Sequence, residues 1–226
     1  MKTTKIKAAL LLGILLSAVN VHALTFPLDS AYVTPTVPPL GTSPWLEAKF
    51  EDIAPNSVRL TMAATGLSAG TTQSVGNWLF NFTDTPSLGL LQLQYASGDQ
   101  ASIFLAPNLR PAGGGRFFDI EFDFAAGQFA PGDQSVYLLS SIDPLQPISA
   151  ESFNFVSFSA SPQVNYYSAS LVEGISGGQS SWIAAATAQT PGPGPGPAPI
   201  PEPATMLLLG TGLTGMAFFR QRKLLK

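Results

Sequence analysis

Short runs in which apolar and polar residues alternate one by one restrict this chain more than any other feature. Val58, Leu60 and Met62 are interleaved with Arg59 and Thr61; Trp78, Phe80 and Phe82 share a parity opposed by Asn77 and Asn81; Leu91, Leu93 and Tyr95 alternate with Gln92 and Gln94. A period of two places one set on each face of an extended strand, which is the pattern of a half-buried antiparallel sheet. Further candidate strands are SIFLA from Ser102, RFFDIEFDF from Arg116, SVYLLS from Ser135, SFNFVSFSA from Ser152, YYSASLVEG from Tyr166 and SWIAAAT from Ser181. Turn-forming strings such as APNS, DTPS, RPAGGG, APGD and ISGGQ separate them. Nine or ten short strands at this spacing predict an all-β fold, an antiparallel β-sandwich of jelly-roll or immunoglobulin-like kind. Within SFNFVSFSA the apolar parity switches after Phe155, which predicts a bulge or a strand covered on both faces.

The two ends have a different character. Lys2, Lys5 and Lys7 precede an apolar run from Ala8 to Ala18, and Val21-His22-Ala23 offers small residues at the positions a signal peptidase inspects. Residues 1–23 are therefore expected to be a signal peptide cleaved after Ala23. At the other end, residues 190–200 carry the Pro/Gly string TPGPGPGPAP, an extended spacer of at most about 30 Å. Beyond it, residues 204–219 hold no charge. Sixteen helical residues span about 24 Å, short of the roughly 30 Å hydrocarbon core, so a transmembrane helix here crosses only marginally. Gly210, Gly212 and Gly215 weaken it further, and Arg220, Arg222, Lys223 and Lys226 bias its end towards the cytoplasm.

The order Pro201-Glu202-Pro203, short apolar helix, Arg220 and Arg222 resembles the PEP-CTERM sorting signal of Gram-negative surface proteins over residues 201–226. The resemblance implies that exosortase, a membrane cysteine protease, removes the tail and passes the protein to the cell surface or extracellular matrix. It also implies a setting in which exopolysaccharide and biofilm are made. The body between the ends, residues 24–189, is long enough for one domain with a substantial core.

Composition narrows the chemistry of that body. The chain has no cysteine, which excludes disulfides and thiolate metal sites. Its one histidine, His22, falls in the expected signal peptide, so a mature chain has no imidazole for Ser-His-Asp catalysis or zinc ligation. Removing Lys2, Lys5 and Lys7 from the 11 basic residues leaves eight against 14 acidic ones, a net charge of −6; losing the four basic residues of the tail as well brings it to −10. Such a surface lacks the clustered Lys and Arg that phosphates require, so nucleic acid is not an expected partner.

Candidate sites are few. FFDIEFDF places Phe118, Ile120, Phe122 and Phe124 on one face of a strand and Asp119, Glu121 and Asp123 on the other. Like charges about 7 Å apart fit three readings: a solvated outer face, a calcium site completed by loop carbonyls or Asp133, or a glycosidase carboxylate pair. RPAGGGR, residues 110–116, reads as a mobile hairpin connection rather than a phosphate loop, because a strand follows it and not a helix. Trp45, Trp78 and Trp182 read as core or edge packing, with sugar stacking as the alternative for an exposed one. Asn81-Phe82-Thr83 fits a glycosylation sequon.

The expectation is an exported, non-enzymatic surface or extracellular-matrix protein, structural or adhesive, with no cofactor and with signal peptidase and exosortase as processing partners. Its membrane contact is the transient C-terminal helix, and exopolysaccharide is the candidate external partner. The alternatives are a calcium-dependent, lectin-like carbohydrate-binding module and a glycoside hydrolase or lyase.

Overall fold

The computed structural model describes residues 22–33, 37–159 and 164–190. The chain divides into two units, Met1–Thr190 and Pro191–Lys226, and every described residue belongs to the first. The expected signal peptide before His22, the spacer beyond Thr190, the sorting residues Pro201, Glu202, Pro203, Arg220 and Arg222, and the helix over 204–219 lie outside the described residues. No helix among the described residues is long and apolar enough to cross a membrane.

Among the described residues twelve strands form, in chain order β1 (Ala23–Leu28), β2 (Ser30–Tyr32), β3 (Leu46–Ala54), β4 (Ser57–Ala63), β5 (Ser74–Phe80) and β6 (Leu91–Gly98). They continue with β7 (Ser102–Pro111), β8 (Arg116–Asp123), β9 (Gln134–Ser141), β10 (Phe158–Ser159), β11 (Ser168–Ile175) and β12 (Gln179–Ala185). The first sheet runs β1-β3-β4-β9-β6 and the second β10-β8-β5-β11-β12-β2, with β7 paired to β8; all pairings are antiparallel. The all-β expectation therefore holds.

Alternation decides which residues meet between the sheets. Leu24, Phe26 and Leu28 of β1, Leu46, Ala48 and Phe50 of β3, and Val58, Leu60 and Met62 of β4 are all fully buried. From the second sheet Trp78, Phe80, Phe122, Val172 and Ile183 join the same cluster. Phe50 meets Phe80 edge-on at 5.2 Å, and Phe122 meets Tyr137 at 4.9 Å, so aromatic contacts tie one sheet to the other. Burying each such side chain is worth about 1.5–3 kcal/mol.

A second, smaller cluster lies on the other face of the second sheet. Leu79, Ala169 and Ala184 are register partners across β5, β11 and β12, and Tyr32, Ala112, Phe118 and Tyr166 cover them. Sheet strands buried on both faces read as near-continuous apolar runs. Ile120, Phe122 and Phe124 enter the main core as the alternation predicts, whereas Phe118 packs in this second cluster. Phe118 lies just beyond Ile120, the last residue of β8 paired with β5, where β8 goes on to pair with β10 at Phe117 and Arg116.

One predicted strand is corrected. SFNFVSFSA does not extend as a strand: Ala150–Phe153 is a 3-10 turn, and only Phe158–Ser159 pairs. Ser149 and Ser152 form a reciprocal capping box there, and Asp52 Oδ1 accepts the Ala150 N–H at 2.7 Å. The turn lets Phe153 stack on Phe50 at 4.3 Å, while Phe155 and Val156, where the apolar parity switches, are exposed.

The ends of the described unit meet at the free edge of β1. The Thr25 N–H donates to the Gln189 carbonyl at 2.7 Å and the Gln189 N–H to the Thr25 carbonyl at 2.8 Å. Ala23, the expected cleavage residue, pairs with Glu51 in β1, and the His22 carbonyl accepts the Asp52 N–H at 2.9 Å.

Candidate functional site

The carboxylates of β8 go to three different surroundings. Asp119 is 9% exposed; its Oδ2 accepts the Phe82 N–H at 2.9 Å and its Oδ1 the Asn108 N–H at 2.7 Å. Glu121, also 9% exposed, accepts Arg110 Nε at 2.6 Å, the same arginine's Nη2, and Asn77 Nδ2 at 3.1 Å. Asp123, at the end of β8, is exposed. The solvated acidic face is thus corrected for Asp119 and Glu121. β7 pairs along β8, and the irregular stretch between Leu105 and Arg110 brings a backbone N–H to one carboxylate and a guanidinium to the other.

Charge-assisted hydrogen bonds of this kind are the strong ones, and they commit both carboxylates to protein partners. Arg110 is held in turn by Phe104, whose ring centre lies 4.9 Å from its guanidinium carbon. Asp133 stands elsewhere, accepting the Ala130 N–H at 2.8 Å. Burial, and then the charge of Asp133, push the Asp99 carboxyl above its ordinary value. Among the described residues no group of three or more His, Cys, Asp or Glu side chains is placed to hold a metal ion.

RPAGGGR is the turn of the β7–β8 hairpin. The Ala112 N–H donates to the Arg116 carbonyl at 3.0 Å and the Arg116 N–H to the Gly113 carbonyl at 3.2 Å. Arg116 is 7% exposed and has no carboxylate partner among the described residues. Its Nε donates to the Val164 carbonyl at 2.8 Å, and its guanidinium lies 4.7 Å from the Tyr32 ring and 4.8 Å from the Tyr166 ring. Two π-faces therefore compensate the buried cation. The Tyr32 hydroxyl donates to the Ala112 carbonyl at 2.5 Å; burial pushes its phenol pKa up, against the pull of Arg116. The loop is thereby fastened to the second cluster.

The tryptophans differ in their surroundings. Trp78 is fully buried, and its indole N–H donates to Ser168 Oγ at 2.9 Å, so it offers no face to a sugar. Trp45 is half-buried against the main core. Trp182 packs on the second cluster, 6.4 Å from the Tyr32 ring, and lines a hollow of about 380 Å³ beside Gln179, Ser180 and Ser181. Asn81 is 2% exposed, which makes its side chain inaccessible as a glycan acceptor.

Two hollows adjoin Asp119, with volumes of about 130 and 160 Å³, and both are walled by Phe82, Asp84, Asn108 and Asp119. Nothing in the sequence singles out Asp84 or Asn108. They reach Asp119 only because the segment after β5 and the irregular stretch of β7 converge on β8, a meeting that no local spacing signals.

Fold and site together define a two-sheet antiparallel β-protein whose strand carboxylates are internal hydrogen-bond partners. Residues 199–223 match the family model of the PEP-CTERM protein-sorting motif, and this span contains Pro201, Glu202, Pro203, Arg220 and Arg222. The chain therefore carries the sorting signal that its sequence resembles. No curated protein and no solved structure matches it significantly.

Proposed function

We propose that this chain is a non-enzymatic surface or extracellular-matrix protein, delivered to the inner membrane by a signal peptide, held there by its tail and released by exosortase. It serves as a structural or adhesive component in an exopolysaccharide or biofilm setting. The match of residues 199–223 to the sorting motif carries this reading. Two further features support it. Asp119 and Glu121 are engaged by backbone and arginine partners, and the first compact unit of the chain ends at Thr190, where the Pro/Gly spacer begins. A marginal apolar helix next to an extended Pro-Glu-Pro site suits transient retention beside a membrane protease.

Fractionation and intact mass spectrometry of the protein recovered from cells test the reading. The wild-type surface species is expected to begin at Leu24 and to lack the apolar tail. Replacing Pro201, Glu202 and Pro203 together by alanine should leave an unprocessed chain in the membrane fraction. Full-length Met1–Lys226 on the cell surface would overturn the itinerary.

A further inference from the structure

We propose that the fold sets the order in which this chain is processed: the Ala23–Leu24 bond is hydrolysed before β1 docks on β3, because the closed sandwich takes that bond into its own sheet. The inference rests on the signal-peptide part of the reading above and adds a time limit to it. Hydrolysis consumes one water and leaves a carboxylate on Ala23 and an ammonium on Leu24, so what the fold controls is access to the bond.

The bond lies inside the first strand. Ala23 and Leu24 pair with Glu51 and Phe50 of β3, and the His22 carbonyl just before them accepts the Asp52 N–H at 2.9 Å. Ala23 is 9% exposed, and Leu24, fully buried, sits in the main core. On the other edge of the strand Thr25 exchanges two backbone hydrogen bonds with Gln189, at 2.7 and 2.8 Å. A protease takes its substrate as an extended segment whose backbone and side chains are free to pair with the enzyme. In the closed sheet the ladder holds this backbone and the core holds Leu24, so neither can enter a cleft.

The same bond is nonetheless a natural end for the fold. Nδ1 of His22 is closed off from solvent without a hydrogen-bond partner. Buried polar atoms are normally satisfied, so the sandwich accommodates the residue before Ala23 poorly, whereas Leu24, Phe26 and Leu28 are all fully buried. Strand order supplies the timing. β3 follows β1 in the chain after only the three-residue β2, so enclosure begins as soon as β3 has emerged. Gln189 closes the outer edge after the last strand, and the sorting motif at residues 199–223 comes later still. The N-terminal cut therefore belongs to the start of export, on an open chain, and the C-terminal cut is the second of the two.

The test uses the full chain, Met1–Lys226, and purified signal peptidase in detergent. The chain is either diluted from urea straight into the enzyme or folded first, with folding read from tryptophan emission and cutting from the intact mass. The open chain should give a species that begins at Leu24. The folded chain should be cut at least about a hundredfold more slowly, since cutting then waits for the strand to open. A Gly-Ser spacer of about six residues inserted between Ala23 and Leu24, about 20 Å when extended, carries the scissile bond out of the ladder and should restore fast cutting of the folded chain. Rates within about threefold of each other for the open and folded wild type overturn the order and leave the surface reading standing. A spacer variant that stays resistant once folded does the same. A precursor that does not fold with residues 1–23 attached also overturns the order, because the bond is then never enclosed. Absence of a cut at Ala23 in the open chain removes the signal peptide itself and the order with it.

Discussion

Asp119 stands opposite Asn108 where the ladder between β7 and β8 is interrupted, and its Oδ1 accepts the Asn108 N–H at 2.7 Å. Its other oxygen holds the Phe82 N–H at 2.9 Å, so one carboxylate joins the chain beyond β5 to the edge strand. Asp119→Ala leaves two backbone donors without this acceptor. The expected loss is about 2–5 kcal/mol, in line with hydrogen bonds to a charged group whose partners are then left unsatisfied. Urea denaturation measures it, and a loss below about 0.5 kcal/mol would show that the carboxylate does not bridge the strands.

Trp78 and Ser168 make the corresponding link inside the core. The indole N–H donates to Ser168 Oγ, which itself donates to the Leu79 carbonyl at 2.9 Å, and both residues are fully buried. Ser168→Ala orphans the indole donor and takes one donor from the Leu79 carbonyl, which lies in the ladder of β5. Destabilisation of about 1–3 kcal/mol is expected from the denaturation midpoint, with a shift in tryptophan emission as the indole loses its partner. An unchanged midpoint would mean that the core relaxes to satisfy both groups.

Asp99 and Asp133 oppose one another. Burial first, and Asp133 second, lift the Asp99 carboxyl above its ordinary value of 3.8. A folded-state pKa above the unfolded one means that the native state binds more protons, so this group lowers stability as pH rises from the ordinary carboxylate value through the raised one, and the loss is complete above it. Asp99→Asn should therefore raise the melting temperature at neutral pH, with little gain at a pH below the ordinary carboxylate value. Added salt should shrink the gain, because the Debye length is only about 10 Å at 0.1 M. A melting temperature lowered at neutral pH would reverse the sign and refute the assignment.

Gly113 and Gly115 sit in one loop with φ of 69° and 74°, yet they face different space. A Cβ on Gly113 would lie 2.7 Å from Trp182 Cδ1, while one on Gly115 meets nothing within 4 Å. Gly115→Ala should cost only the left-handed backbone penalty of about 1–2 kcal/mol. Gly113→Ala adds overpacking against a large, constrained ring, a further loss of about 1–3 kcal/mol. Equal melting temperatures for the two variants would show that Trp182 yields freely.

The alternation Val58-Leu60-Met62 is visible in the sequence because β4 has one face in the core and one towards solvent. β1, Ala23–Leu28, is buried at five of its six positions, so it has no polar parity to reveal it. SFNFVSFSA was misleading for a different reason: of its large apolar residues only Phe153 enters the core, through a capped turn, while Phe155, Val156 and Phe158 are exposed, and the acceptor that holds this turn, Asp52, lies 98 residues away. Spacing along the chain cannot register such a partner.

The sequence alone determined that this chain is built from antiparallel strands and ends in a PEP-CTERM sorting motif, since both are written as local patterns that an extended strand or a protease reads in order. The tertiary structure alone decided what the acidic strand does. Whether Asp119, Glu121 and Asp123 face water or a partner depends on where Phe82, Asn108 and Arg110 arrive in space, and hydrogen bonds form over about 3 Å, whatever the separation in sequence.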